Sequence, residues 1–379
     1  MMYNNISTVE KLCAVKDAYK HDGETDKMFV QAMKEIVIFH KEHSAFYSRL
    51  LKKDKFDINT LCTVEDCAAI PYVYADFFKT HIVKSVGDEQ ITDHYTSSGT
   101  TGQKSQMFFD ERTLGSAIKM IDFEVDYLGF NSPDIKSNYI MYSYQIPADS
   151  KLGTANTDKR MTKYSPPAEI EYALKQNGRG GYDFDVFGII NALQRYAAQE
   201  LPVRILGFPS FFYFTLQQMR DLKIKPVKLN PLSATLFGGG WKGAAGKEIS
   251  KKELYELGEE MLGIPNNRFC DGFGSVEHCI PYMECSNHHF HVPAWSRVFI
   301  RDVRTLDVLP FGSSGFLQFV SPYITSAPAH SVLMGDLAVL QPASKCGCGI
   351  KTPYFEILGR AGTSKNKSCA IAAAELLKR

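Results

Sequence analysis

The chain has 379 residues, with 43 Lys and Arg against 42 Asp and Glu and a formal charge of +1. That length can bury a large core, and the balanced charge excludes a global basic field for nucleic acid or an anionic membrane, leaving only local patches. Hydrophobic residues at 44% and charged residues at 22% are ordinary globular composition and exclude a disordered chain. The opening MMYNNISTVEKLCAVKDAYK lacks the apolar run of a secretory signal, and no stretch holds about eighteen uninterrupted apolar residues, so the expectation is a cytoplasmic protein without a membrane span. Nine cysteines, an odd number without a signal, point to thiols, metal ligands or a nucleophile over a disulfide framework.

Residues 1–92 read as mainly helical, with Phe29, Met33, Ile36, Ile38, Phe39, Phe46 and Leu50 giving Thr25–Leu51 close to a 3.6 period. Next comes Tyr95-Thr96-Ser97-Ser98-Gly99-Thr100-Thr101-Gly102-Gln103-Lys104, where hydroxyls, two glycines and an ammonium can converge on phosphate oxygens. The glycines sit only three apart, so the G-x-x-x-x-G-K-[ST] loop of P-loop NTPases does not fit. Met107–Phe109 reads as a strand and 112–128 as an amphipathic helix, which puts the glycine loop between two strands. The Gly-, Lys-, Asn- and Pro-rich region 151–183 reads as an irregular excursion. Leu201–Leu206 reads as a strand leading to a helix that Ser210 could cap; Phe211, Phe212 and Phe214 are either an apolar acid pocket or plain core. A short strand over 234–237 ends in Gly238, Gly239 and Gly240, which let backbone approach a flat ligand such as a nucleobase. Arg268-Phe269-Cys270-Asp271-Gly272-Phe273-Gly274-Ser275-Val276-Glu277 is a second strand end with glycines and a carboxylate. In Val332–Leu340 a lone acid, Asp336, stands inside a strand pattern, where burial requires hydrogen-bond donors such as ribose hydroxyls.

These motifs, in this order over roughly residues 70 to 360, resemble the adenylate-forming ligases, which convert a carboxylate and ATP into an acyl-adenylate, and their phenylacetate-CoA-ligase-like branch in particular. The resemblance implies an α/β fold: a large N-terminal adenylating domain of mixed β-sheets flanked by helices. It divides the chain into a helical part over 1–92, an adenylating core over 93–358 and a short tail over 359–379. It also implies that the Thr96–Lys104 loop binds phosphates, Phe273 stacks on adenine beside Gly274 and Ser275, Glu277 holds magnesium, Asp336 takes the ribose, and Arg360 in Ile357-Leu358-Gly359-Arg360 meets the phosphates at a hinge.

Glu284-Cys285-Ser286-Asn287-His288-His289-Phe290-His291 and Lys345-Cys346-Gly347-Cys348-Gly349 offer thiolates and an imidazole of the kind tetrahedral zinc prefers. The same branch carries a Cys…His pair after the glutamate motif and a C-x-C-G before the hinge, which implies structural zinc on Cys285, His291, Cys346 and Cys348. His291 is preferred to His289 because Phe290-His291-Val292 is strand-like, and Cys279 is a spare candidate.

Nineteen residues follow Arg360, where the general family carries a mobile domain with a late lysine. They include Cys369, a thiol beside Lys365 and Lys367 and ahead of an Ala/Glu/Leu segment, an environment that lowers a thiol pKa. This end resembles the acyl-protein synthetases of bacterial luminescence, whose late cysteine accepts the acyl group and presents it to a reductase; by position Cys369 would be that acceptor. The function expected is ATP-dependent activation of a carboxylic acid, fatty acyl preferred, followed by self-acylation, with an acyl reductase as partner. Two rivals stay open on the residues, an aryl- or acyl-CoA ligase of the phenylacetate type and a non-catalytic nucleotide- or acyl-binding subunit.

Overall fold

The structure is a computed structural model that describes residue 3 and residues 5–96, 105–145, 160–241 and 245–361. It divides into two compact units, one of residues 1–127, 274–282 and, of the later described residues, 289–361, the other of 128–273 and 283–288.

The first unit opens with helices α1 (Ser7–Cys13), α2 (Gly23–His43) and α3 (Ala45–Lys53). Asp22 caps α2 by accepting the amides of Glu24 and Thr25 at 3.1 and 2.9 Å, while the Asp22 amide donates to Thr25 Oγ1 at 2.8 Å, a reciprocal box that starts the helix. Phe29, Met33, Ile36 and Val37 then face the core, whereas Ile38 is exposed. The single helix expected over Thr25–Leu51 is broken at Ser44, which adopts φ −124° and accepts the amide of Tyr47 to begin α3. A serine able to cap terminates one helix and starts the next without interrupting the apolar period.

After β1 (Val73–Tyr74) and α4 (Phe77–Thr80), β2 (Ile91–Thr96) and β3 (Gln106–Asp110) form an antiparallel hairpin, with Thr96 opposite Gln106, and α5 (Glu111–Tyr127) follows. The strand and helix expected on this side of the glycine loop are therefore in place.

The second unit contains β4 (Ser137–Tyr144), β5 (Pro167–Gln176), β6 (Tyr182–Phe184), α6 (Val186–Gln199), β7 (Val203–Gly207), α7 (Pro209–Asp221), β8 (Ala234–Phe237), α8 (Lys251–Leu262) and β9 (Gly272–Phe273). Its sheet order is β6-β5-β4-β7-β8, with β5, β4, β7 and β8 parallel and β6 an antiparallel edge. Seven consecutive buried residues in β4 suit a central strand covered on both faces. Ile140, Ile190, Leu193, Ile205, Phe212 and Leu216 share one core. Part of the expected irregular excursion over 151–183 is thus the hairpin of β5 and β6, turned at Gly178 and Gly180 with φ of 70° and 80°. Glu171 pairs with Lys175 at 2.7 Å and Glu169 with Arg195 of α6 at 3.0 Å, and these charges hide the strand pattern. Helix α7 begins at Pro209 with Phe208 as its N-cap and no side-chain cap; Ser210, expected to cap, is fully buried inside the first turn.

The chain passes through β10 (Tyr282–Met283) and completes the first unit with β11 (Phe290–His291), β12 (Arg297–Arg301), β13 (Ser314–Val320), β14 (Ser331–Gln341) and β15 (Tyr354–Arg360). These make the sheet β11-β15-β14-β13-β12, antiparallel throughout, with β1 added parallel to β14. Two sheets of mixed direction, each with helices, fulfil the α/β expectation. No helix among the described residues is long and apolar enough to cross a membrane, and no disulfide joins the described cysteines.

Candidate active site and metal cluster

In an open parallel sheet, ligands sit beyond the carboxyl ends of strands where the strand order reverses. In the second unit β4 is followed by β5 on one side and β7 on the other, so this edge is marked by the ends of β4, β7 and β8. Gly207 closes β7 at φ 112°, and a Cβ there would stand 2.5 Å from the Tyr142 carbonyl oxygen, so only glycine fits. The Gly238 amide donates to the Gly207 carbonyl at 3.1 Å, and Gly239 and Gly240 follow at φ 78° and 65°. Gly238–Gly240 therefore open directly off this edge. Phe273 ends β9, and Asp271, two residues earlier, bridges in parallel to Phe237. Phe237 and Phe212 are core, so the aromatic stretch at 208–214 supplies packing through Phe212, with Phe211 and Tyr213 against its edge.

The first unit holds the other motif residues. Thr96 ends β2; Ser97, Ser98, Gly99, Thr100, Thr101, Gly102 and Lys104 lie outside the described residues, as does Cys369. Gly274 and Ser275 open a turn in which the Ser275 carbonyl accepts the amides of His278 and Cys279 at 3.3 and 2.7 Å. Glu277 is carried on this turn, is only 6% exposed, and no hydrogen bond or ion pair reaches its carboxylate among the described residues. Its neighbour His278 is locked in the core, stacked on Phe319 with Nε2 2.9 Å from the Tyr282 hydroxyl, and burial pulls its pKa down to about 3. Register sets Asp336 of β14 opposite Arg360 of β15, and Arg360 Nε lies 3.3 Å from Asp336 Oδ1. Burial pushes the Asp336 carboxyl above its ordinary value, and the guanidinium opposes that shift. Sequence reading named both residues separately; their pairing comes from the tertiary fold.

The donor atoms of His291, Cys346 and Cys348 all lie within 4.8 Å of one another. His291 is fully buried; its Nδ1–H donates to the Thr352 carbonyl at 2.7 Å, which leaves Nε2 with its lone pair 3.3 Å from Cys348 Sγ. Burial also pulls this imidazole down to about 4, favouring the neutral form that binds metal. Gly347 and Gly349, at φ 78° and 98°, turn the chain around Cys348, whose sulfur accepts the Ile350 amide at 3.4 Å. Cys285, six residues before His291, is buried and accepts the Asn287 amide at 3.4 Å. His289 stacks on Tyr354 at 4.2 Å and puts Nδ1 3.1 Å from Cys346 Sγ, beside the group. Cys279 stands apart in the Glu277 turn at φ 58°, its thiol pushed up to about 12 by burial. Three thiols and one imidazole are the donor chemistry of a closed zinc site.

The first unit also contains a cavity of about 520 Å³ with Val298, Leu309, Phe311 and Leu340 in its wall, which no motif signalled. Its buried cation is already committed, since Arg297 Nη2 lies 2.6 Å from Asp26 Oδ1.

A family model described as acyl-protein synthetase, LuxE, matches residues 7–378. The chain belongs to the LuxE acyl-protein synthetase family. It is a ligase, and the family read from the motifs is borne out. Two relatives, each named a long-chain-fatty-acid–luciferin-component ligase, come from Aliivibrio fischeri, 23% identical over 368 residues (92% of this chain and 88% of the relative), and from Vibrio harveyi, 22% identical over 339 residues (82% and 79%). A solved 2-hydroxyisobutyryl-CoA ligase in complex with 2-HIB-AMP and CoA matches at TM-score 0.64 and 16% identity, covering 91% of this chain and 71% of that one. That likeness shows the shared fold, and with it the LuxE family member's α/β architecture is the one expected.

Proposed function

We propose that this LuxE family member activates a fatty acid with ATP to an acyl-adenylate, transfers the acyl group to Cys369, and presents it to an acyl reductase in the cytoplasm. The observation that carries this reading is the family match over residues 7–378, whose relatives are named as ligases of long-chain fatty acids. An acid oxygen attacks the α-phosphorus of ATP and pyrophosphate leaves; the Cys369 thiolate then attacks the acyl carbon, a thioester forms and AMP departs. The Thr96–Lys104 loop and Arg360 would hold phosphates by charge-assisted hydrogen bonds, Gly238–Gly240 and Phe273 would flank adenine with Gly274 and Ser275 beside it, and Asp336 would accept the ribose hydroxyls. For the last role Arg360 must exchange Asp336 for phosphate.

Glu277 is the candidate magnesium ligand, because a buried carboxylate with no partner among the described residues suits a cation. Bound there, magnesium would neutralise phosphate charge. Cys285, His291, Cys346 and Cys348 would hold structural zinc, a reading supported by the clustered donors and by the His291 tautomer.

The test incubates the protein with ATP, magnesium and labelled tetradecanoate and compares wild type with Cys369→Ala before and after neutral hydroxylamine. The expected result is hydroxylamine-labile label on wild type and none on the variant, with pyrophosphate released by both. Label that persists in the variant would remove Cys369 from the scheme. Acyl-CoA formed on adding CoA, with no labelled protein, would favour the CoA-ligase reading, and no pyrophosphate with any of several acids would favour a binding subunit.

A further inference from the structure

The segment carrying Phe273 is held both by sheet bonds and by side chains, and β9 itself pairs with the two-residue strand β10. Beyond β8 it makes one parallel bridge, Phe237 to Asp271, together with the Phe237 amide donating to the Cys270 carbonyl at 2.8 Å. Side chains add further bonds. Glu284, whose side chain is fully buried, accepts the Asp271 amide at 2.9 Å and the Tyr255 hydroxyl at 2.8 Å through Oε2, and Lys251 Nζ at 2.7 Å through Oε1. Lys251 Nζ also lies 2.7 Å from Asp271 Oδ2, and the Glu284 amide donates to the Asp271 carbonyl at 3.0 Å. Lys251 and Tyr255 are four residues apart on α8 and so project from one face of a helix started by the Ser250–Glu253 capping box. Asp271 is thus gripped at its amide, carbonyl and carboxylate, two residues before Phe273.

We infer that Lys251, Tyr255 and Glu284 are positioning residues that hold the Asp271–Phe273 segment in place as a nucleotide platform. The inference rests on the proposed adenine role of Phe273. None of the three side chains touches a reacting atom in this scheme. A buried carboxylate costs stability unless every lone pair is used, and here ammonium, hydroxyl and amide donors converge on it. The donors come from α8 and from Asp271 itself, so the cluster ties the platform to the helix layer of its own unit. An aromatic platform works only when its plane is fixed, because a displacement of about 1 Å is enough to cost affinity.

The test measures the KM of ATP, the KM of tetradecanoate and kcat of pyrophosphate release for wild type, Lys251→Met, Lys251→Arg and Tyr255→Phe, with direct calorimetric binding of ATP. Lys251→Met is expected to raise the KM and Kd of ATP about tenfold, the scale of one charge-assisted hydrogen bond, with the acid KM and kcat within about twofold. Lys251→Arg is expected to recover most of the loss. Tyr255→Phe, which keeps the ring packed, is expected to show a smaller shift in the same constant. Loss of kcat in step with folded protein, at unchanged ATP KM, would overturn the positioning role. Wild type that binds ATP beside variants with unaltered Kd would overturn the clamp alone, whereas wild type that binds no ATP overturns the nucleotide reading and this inference with it.

Discussion

Acidification should unfold this protein through a buried histidine pair in the first unit. His40 of α2 is fully buried, with Nε2 3.0 Å from the Ile324 carbonyl and Nδ1 2.7 Å from Ser85 Oγ. Nε2–H therefore donates to the carbonyl, Nδ1 accepts the hydroxyl, and the ring is satisfied only when neutral. The ring of His330 stacks on it at 4.9 Å and 11°, with Nε2 2.7 Å from the Tyr47 hydroxyl. Burial, the largest cause, pulls His40 down to about 3; the bond to the Ile324 carbonyl opposes that pull, His43 adds to it, and Asp110 opposes it least. Burial likewise pulls His330 well down. In the unfolded chain each imidazole titrates near 6.5. Below that pH the unfolded state binds more protons than the native one, so stability falls as pH falls from about 6.5 and levels off near about 3. Between pH 7.5 and 5.0 His40 alone should cost about 2 kcal/mol, from roughly 1.5 pH units at about 1.36 kcal/mol each. His330 adds a loss of the same sign. The assay is urea unfolding followed by tyrosine and tryptophan fluorescence at both pH values, on wild type and His40→Asn, where the amide replaces the ring without titrating. The variant should start less stable but lose about 2 kcal/mol less on acidification. Equal pH-dependent losses in the two proteins would refute the assignment of that loss to His40.

Two further outcomes test other parts of the structure. Metal analysis of protein purified without chelator should find about one equivalent of zinc, lost in Cys348→Ser, and a strong chelator should lower the thermal midpoint of wild type but not of the variant; metal-free wild type with an unchanged midpoint would sink the zinc reading. Gly207→Ala should destabilise the second unit by more than about 1 kcal/mol, because its Cβ would meet the Tyr142 carbonyl at 2.5 Å at φ 112°. An unchanged denaturation midpoint for that variant would show that β7 ends differently.

Much of the candidate site was legible because its signals are local. A short apolar run with strand-ending glycines placed β8 before Gly238–Gly240, and a lone acid in an apolar run placed Asp336 inside β14. The candidate zinc donors Cys285, His291, Cys346 and Cys348 were named in the sequence from thiolate and imidazole chemistry together with the family resemblance. Helix breaks and disguised strands were harder. Ser44 interrupts no apolar period, yet its capping splits α2 from α3, and the polar face of β5 conceals a strand that pairs only in the folded sheet.

The tertiary structure alone decided what depends on register and chain closure. Asp336 meets Arg360, 24 residues later in the chain, because β14 and β15 pair antiparallel with a register shift between Leu337 and Ala338 that sets the two opposite each other. Glu284 meets Lys251 and Asp271 only after α8 and the strand beyond β8 have packed. Gly207 is obligatory because the Tyr142 carbonyl of a neighbouring strand occupies the space of a side chain. Local propensity acts over a few residues and can be read from one stretch at a time, whereas these contacts join segments whose distance in space is set by the whole fold.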